Sequence, residues 1–272
     1  MTKERLDKIL TDRGFFETKS RAQASVMAGE VKVNGEVITK AGYMIDTEGK
    51  IDFEIKTMPY VSRGGFKLEK ALKEFNINLS GSICLDAGAS TGGFTDCMLQ
   101  KGALKVYSAD TGYGQLAWKL RTDKRVKVIE KVNLKNCAEN DIYSEGEEYA
   151  SFIAADLSFI SILKVLPNLV KLADKNGFEI VSLIKPQFEA GKEQADRGGG
   201  IIKDEAVHIE VIKNVIENCA AMGLYAANLT FSPIKGAKGN IEFLIHLSPE
   251  RSAAADIDAE TEVKKAHEQM KD

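Results

Sequence analysis

The stretch SICLDAGASTGGFTD, residues 82–96, decides how the chain is read. An apolar run ends on Asp86, and Gly88, Gly92 and Gly93 follow before a helical pattern that starts near Thr91. Strand, glycine-rich turn and helix in that order open an α/β unit whose backbone passes close to a ligand. The glycine spacing is GxxxGG, not GxGxxG, and no Gly-Lys-Ser/Thr follows, so nicotinamide and triphosphate both lose weight. Asp110 closes the next apolar run, 24 residues after Asp86, where a carboxylate can accept hydrogen bonds from both ribose hydroxyls of an adenosyl ligand.

Working outward, KVYSAD (105–110), VKVIE (126–130), SFIAAD (151–156) and FEIVSLIK (178–185) are further short apolar runs separated by helical stretches. That rhythm predicts a parallel sheet with helices on both faces. LYAANLTFSPI and IEFLIHL are joined by too few residues for a helical crossover, so the last strand is expected to run antiparallel. The fold class is therefore α/β, a Rossmann-like sheet, preceded by a small α+β domain. In that first part, Leu6, Ile9 and Leu10 mark a helix stopped by Gly14, and Thr18 caps a second one running to Gly29. VKVNGEVI, with Asn34-Gly35 between alternating apolar residues, is a hairpin, and Ile51, Phe53 and Ile55 alternate as another strand. The boundaries expected are a small domain over 1–58, a linker over 59–66, a large domain over 67–248 and a charged tail over 249–272.

Composition excludes several classes. The 272 residues carry 37 Lys and Arg against 40 Asp and Glu, are 44% hydrophobic, and contain no apolar run of membrane-spanning length. MTKERLDKIL lacks the apolar core of a secretory signal, and Cys84, Cys97, Cys137 and Cys219 show no CxxC spacing, so a cytoplasmic protein without a metal site is expected.

Four charged residues at the ends of predicted strands or helices, Lys67, Asp156, Lys185 and Glu242, fall at the carboxyl edge of the sheet, where open α/β folds place ligands. Lys185 stands out because five mostly apolar residues precede it and Pro186 follows, so its stem starts inside the sheet. In the first forty residues Arg5, Lys8, Arg13, Lys19, Arg21, Lys32 and Lys40 are nearly cancelled by acids, one of them Glu17. Their placement at helix starts and in the hairpin nevertheless suits a phosphate-tracking face.

RLDKILTDRGFFETKSRAQASVMAGEVKVNG resembles the αL RNA-binding domain of a ribosomal protein and of pseudouridine synthases. SRGGFKLEKAL, LDAGASTGGFTD, ADTGYGQLAWKLR, AADLSFISI, LIKPQFE and GNIEFL together resemble the TlyA family, which joins that domain to an FtsJ-like methyltransferase. The resemblance implies a class I methyltransferase sheet and S-adenosylmethionine-dependent 2′-O-methylation of cytidine in ribosomal RNA. It also implies a catalytic tetrad of Lys67, Asp156, Lys185 and Glu242. By the same resemblance Asp86, Gly88, Ala89, Ser90, Gly92, Gly93 and Asp110 hold the cofactor, with Asn133 of EKVNLKN beside the adenine. Arg5, Lys8, Arg13, Lys19, Arg21, Lys32 and Arg63 are the RNA-binding candidates, ribosomal RNA or a ribosomal subunit being the partner. QADRGGGIIKDEAVH, 194–208, is read as a loop and a helix start.

Three rival classes are weaker. A ribosome-assembly factor that holds an adenosyl ligand without turnover has no need of the full tetrad. A pore-forming haemolysin, a label the family often carries, has no membrane segment here, and an oxidoreductase is opposed by the glycine spacing.

Overall fold

The computed structural model describes residues 3–16, 18–55, 58–191, 194 and 198–271. It divides into two compact units, Met1–Pro59 and Tyr60–Asp272.

In the first unit, helices α1 (Leu6–Asp12) and α2 (Lys19–Met27) pack through Leu6, Ile9, Leu10, Ala22 and Val26 onto Val31, Val33 and Ile45. Thr18 caps α2 by accepting the Arg21 N–H at 3.3 Å, which supplies one of the donors a helix start leaves unpaired. β2 (Val31–Val33) turns through Asn34 and Gly35, both at positive φ, into β3 (Glu36–Val37) and pairs on its other side with β5 (Phe53–Ile55). β1 (Lys3–Arg5) and β4 (Met44–Asp46) form a two-stranded pair that the sequence pattern does not reveal.

The second unit is a seven-stranded sheet. In spatial order it runs β11 (Tyr225–Phe231), β12 (Phe243–Ser248), β10 (Glu179–Ile184), β9 (Phe152–Ala155), β6 (Ile83–Ala87), β7 (Lys105–Ala109), β8 (Val126–Ile129). β12 alone is antiparallel to its neighbours, as expected. Successive residues of a strand face opposite sides, and here each side meets helices. Cys84, Val106, Phe152, Val181 and Leu244 face α3 (Gly64–Glu74) and α4 (Gly93–Gln100). Leu85, Tyr107, Ile153, Ile180 and Ile245 face α7 (Leu166–Leu172), α9 (Glu205–Ala221) and α10 (Ala259–Gln269). The short helices α5 (Trp118–Arg121), α6 (Glu139–Ile142) and α8 (Pro186–Glu189) complete the layers.

Several sequence expectations need correction. The helix after the glycine-rich turn starts at Gly93, not near Thr91, because Gly92 caps it at φ +96°. The stretch read as a charged tail contains α10, whose Ala259, Val263 and Ala266 are buried in the sheet's core. Gly64 and Gly65, read as linker, begin α3. Of QADRGGG, residues 195–197 lie outside the described residues, as does Glu17; Gly198–Ile201 form a turn, and Asp204 caps α9 by accepting the Ala206 N–H.

Chain order places the site. The chain steps from β6 outward to β8 and returns to β9, so the strand order reverses between β6 and β9, where loops diverge and leave a crevice at the carboxyl ends. Asp86 lies at the end of β6, and Asp156 follows β9 directly.

Candidate active site

Four side chains from four elements meet in that crevice. Lys67 from the first turns of α3 places Nζ 2.7 Å from Glu242 Oε2 and 3.3 Å from Asp156 Oδ2. The other Asp156 oxygen, Oδ1, lies 2.5 Å from Lys185 Nζ, which also donates to Ser158 Oγ at 2.9 Å. The result is an alternating chain, Glu242, Lys67, Asp156, Lys185, Ser158. Lys67 and Lys185 are buried at 8% and 6% exposure and Glu242 at 3%, an arrangement tolerated only because each charge has an opposite partner. Burial lowers the Lys67 pKa, but the carboxylates of Asp156 and Glu242 outweigh it and hold the ammonium above its ordinary value. Burial likewise opposes ionisation of Asp156, and Lys185 and Lys67 outweigh it, so its pKa falls below the ordinary value.

Local structure fixes the acids and bases. Lys185 follows β10 and stands at the start of α8, and Pro186, lacking an N–H, fits the first helical position where that donor would be unpaired. Glu242 is approached by the turn Ile234–Asn240: a Cβ on Gly236 would lie 2.4 Å from Glu242 Oε1, so a side chain there would push the carboxylate out of its place. Asn240, buried, accepts the Ile202 N–H at 2.9 Å and donates to Gly200 O at 2.8 Å, tying that turn to the glycine run before α9.

The chain of charges opens into a cleft of about 640 Å³ that also touches Asp86, Gly88, Ala89, Ser90 and Gly93. A second cavity, about 340 Å³, shares Gly88, Ser90, Asp156, Ser158 and Phe159 with the first and adds Asp110 and Asn133. Of the expected cofactor residues, then, Gly92 alone lines neither. Its Cβ position points away, 2.3 Å from Leu120 Cδ1 and 2.8 Å from Leu116 Cδ1. Glycine is required there by packing and by φ +96°, not by room for a ligand, which corrects the sequence reading.

The remaining residues fit an adenosyl ligand with a cationic amino-acid end. Gly88, at φ +92°, would drive a Cβ to 2.7 Å from Asp156 O, so the loops after β6 and β9 touch there. Asp110 accepts the Ser90 N–H at 2.8 Å and the Gly112 N–H at 2.6 Å, which aims its carboxylate while leaving a second lone pair on each oxygen. Asp86 Oδ2 accepts from Thr95 N and Oγ1 at 2.8 and 2.6 Å, whereas its Oδ1 is buried without a partner among the described residues. Burial pushes the Asp86 carboxyl up to about 7, with Thr95 opposing and the charges of Asp156 and Asp110 adding. An unpartnered carboxylate oxygen on the cleft wall is a place for a ligand ammonium. Asn133 is exposed, its Oδ1 accepting the Lys135 N–H at 3.1 Å.

Sequence reasoning missed Ser158, Asn240, Lys235 and Lys238, which all line the large cleft, and two aromatic rings. Phe159, at φ +65° and 88% exposed, stands on the rim of both cavities and packs tilted on Phe188, centroids 5.4 Å apart. A bulky side chain held in the left-handed region and in solvent is the signal, and it is invisible without coordinates.

The basic residues divide. Arg63 lines the large cleft, not the amino-terminal unit. Arg5 grips buried Asp7 with two hydrogen bonds, 3.0 and 2.7 Å, and holds that carboxyl well below the aspartate range. Its first duty is to pair a buried charge, which corrects a reading of it as a phosphate contact alone. Lys8 pairs with Glu4 and Lys32 with Glu54, while Arg13 lies over the Phe53 ring at 5.3 Å and Lys19 opens α2 on the surface.

Residues 60–248 match the FtsJ-like methyltransferase model, and residues 4–51 match the S4 domain. The chain is 46% identical over 245 residues to a putative rRNA methyltransferase, YqxC, of Bacillus subtilis, covering 90% of this chain and 85% of that one. It is 38% identical over 251 residues to the 16S/23S rRNA (cytidine-2'-O)-methyltransferase TlyA of Mycobacterium tuberculosis, covering 92% and 91% of the two chains. A putative hemolysin from Streptococcus thermophilus superposes with a TM-score of 0.76 at 43% identity, covering 99% of this chain and 97% of that one. The chain belongs to the FtsJ-like methyltransferase family, in its TlyA and hemolysin A group, and carries an S4 domain at its amino end.

Proposed function

We propose that this protein transfers the methyl group of S-adenosylmethionine to the 2′-hydroxyl of a cytidine in ribosomal RNA, in the cytoplasm. The alternating chain of Glu242, Lys67, Asp156, Lys185 and Ser158 at the mouth of two joined cavities carries the reading. The cofactor, when bound, supplies an electrophilic methyl. Asp110 and Asn133 suit its adenosyl part, Asp86 Oδ1 its ammonium, and Gly88, Ala89, Ser90 and Gly93 let it lie against backbone.

A ribose hydroxyl is a weak nucleophile near neutral pH, so the site has to align it and stabilise the oxygen as its proton passes to solvent water. Lys185 is placed for that role, with Asp156 and Ser158 fixing its ammonium from one side. Lys67, held protonated by two carboxylates, adds positive charge beside the developing alkoxide. Phe159 offers a face on which the target base stacks. The S4 unit, residues 1–58, supplies phosphate contacts through Arg13, Lys19 and Arg21, and residues 67–248 supply cofactor binding and chemistry.

Calorimetry with S-adenosylmethionine, S-adenosylhomocysteine and NAD tests the reading at its first step. Binding of the two sulfur compounds and not of NAD is expected. Equal binding, or none, of all three would remove the methyltransferase assignment.

A further inference from the structure

Two aromatic rings that the active cleft leaves aside stand in solvent. Tyr113 is 72% exposed and Trp118 75%. Packing imposes that exposure. Leu116 and Leu120, four residues apart and both buried, turn inward against Gly92, and the Ala117 N–H donates to Thr91 O at 3.1 Å. Trp118, midway between those leucines, is thereby turned outward.

The surroundings are cationic. Residues 110–136 hold seven Lys and Arg against three acids, a net +4 in a chain of net −3. Lys119 is paired with Asp96, Arg121 with Glu130, Arg125 with Asp123 and Lys127 with Glu147. Lys124, Lys131 and Lys135 have no carboxylate within ion-pair distance among the described residues, and the Lys131 ammonium sits 4.6 Å over the Tyr113 ring. Asp110 and Lys135, at either end of the segment, line the smaller cavity, and Glu130, which accepts from the Gly114 N–H beside Tyr113 and from Arg121 one turn after Trp118, ties the two rings' elements together.

Flat exposed rings among unpaired lysines match an unstacked base and the phosphates on either side of it; a duplex hides its base faces, and an acidic protein surface would leave the indole unmatched. We propose that Tyr113, Trp118 and Lys131 form a second docking surface for an unpaired segment of the RNA substrate, a base stacking on the Trp118 indole and phosphates along the same segment meeting Lys131 at one end of β8 and Lys124 at the other. The proposal rests on the ribosomal RNA reading above, and it adds to it a contact made outside the reacting nucleotide.

Trp118 is the single tryptophan of the chain, so its emission reports this surface directly. The full-length protein, with S-adenosylhomocysteine present, is titrated with deproteinised 16S and 23S rRNA and with a duplex RNA of similar length. Quenching by ribosomal RNA and not by duplex is expected. In the transfer assay Trp118→Ala should raise KM for RNA about tenfold, equivalent to about 1.4 kcal/mol of lost stacking, with kcat and S-adenosylmethionine affinity within twofold. Trp118→Phe should recover most of that loss. Unquenched emission at saturating RNA, or an unchanged KM for Trp118→Ala, overturns the proposal. Quenching by ribosomal subunits but not by naked RNA also overturns it, assigning the surface to a protein partner. If the wild type methylates no ribosomal RNA, the functional reading falls first and this surface with it. A normal wild type beside an unaffected variant removes the surface alone.

Discussion

Lys67 and Glu242 stand 175 positions apart in the chain, yet Nζ lies 2.7 Å from Oε2 with both side chains buried. Removing one partner of such a pair strands the other charge, at a typical cost of about 3–5 kcal/mol. Lys67 retains Asp156 in a Glu242→Ala variant, so a loss near the lower end of that range is expected in urea unfolding. Glu242→Gln should lose less stability while still impairing methyl transfer.

Lys185→Ala should slow methyl transfer at least about a hundredfold and leave S-adenosylmethionine affinity within a few-fold, as for a group that acts mainly in the transition state. Asp156 keeps Lys67 as a partner, so its carboxylate is not stranded even though the site is left with two acids to one lysine. Parallel loss of binding and rate would show instead that the site had collapsed. Single-turnover rates beside calorimetry separate the two.

Gly92→Ala is expected to act on folding before it acts on the cofactor. The left-handed backbone and the Leu120 contact together predict a loss of about 2–4 kcal/mol in urea unfolding. A stable variant with weakened cofactor binding would return Gly92 to the ligand's contacts.

Asp86 gives the protein a pH signature. Its folded pKa is raised to about 7 against 3.8 for the free side chain, so between roughly pH 4 and 7 the folded state holds a proton that the unfolded chain has released. Stability from this group is therefore present at the low end of the window and lost as pH rises, on the order of 1–3 kcal/mol. Asp86→Asn should remove that slope, and unfolding curves of the two proteins at pH 5, 6 and 7 measure it. Since a ligand ammonium favours the ionised carboxylate, S-adenosylmethionine affinity should rise with pH through the same window, with proton release on binding.

All seven strands of the sheet were legible because buried parallel strands are short apolar runs, and because Asp86, Asp110, Asp156 and Lys185 mark their carboxyl ends. The four charged residues were legible one at a time; what no sequence pattern states is their alternation, since it depends on α3 and on the turn before β12 arriving at one point. The β1–β4 pair escaped notice because Lys3–Arg5 and Met44–Asp46 are too short and too polar to show alternation. α10 was hidden in charge: only Ala259, Val263 and Ala266, spaced for one helical face, reveal that it docks. Arg5 was misjudged because a basic residue just before a mixed-charge helix looks solvated until buried Asp7 is seen beneath it.

Mass spectrometry of nucleosides from ribosomal RNA tests the central claim most directly. Ribosomes from cells lacking the gene are incubated with S-adenosylmethionine and either the wild-type protein or Lys185→Ala, and the RNA is then digested. The account predicts 2′-O-methylcytidine restored by the wild type at a defined position and absent with the variant. A base-methylated product, or no new methyl group with the wild type, would contradict it.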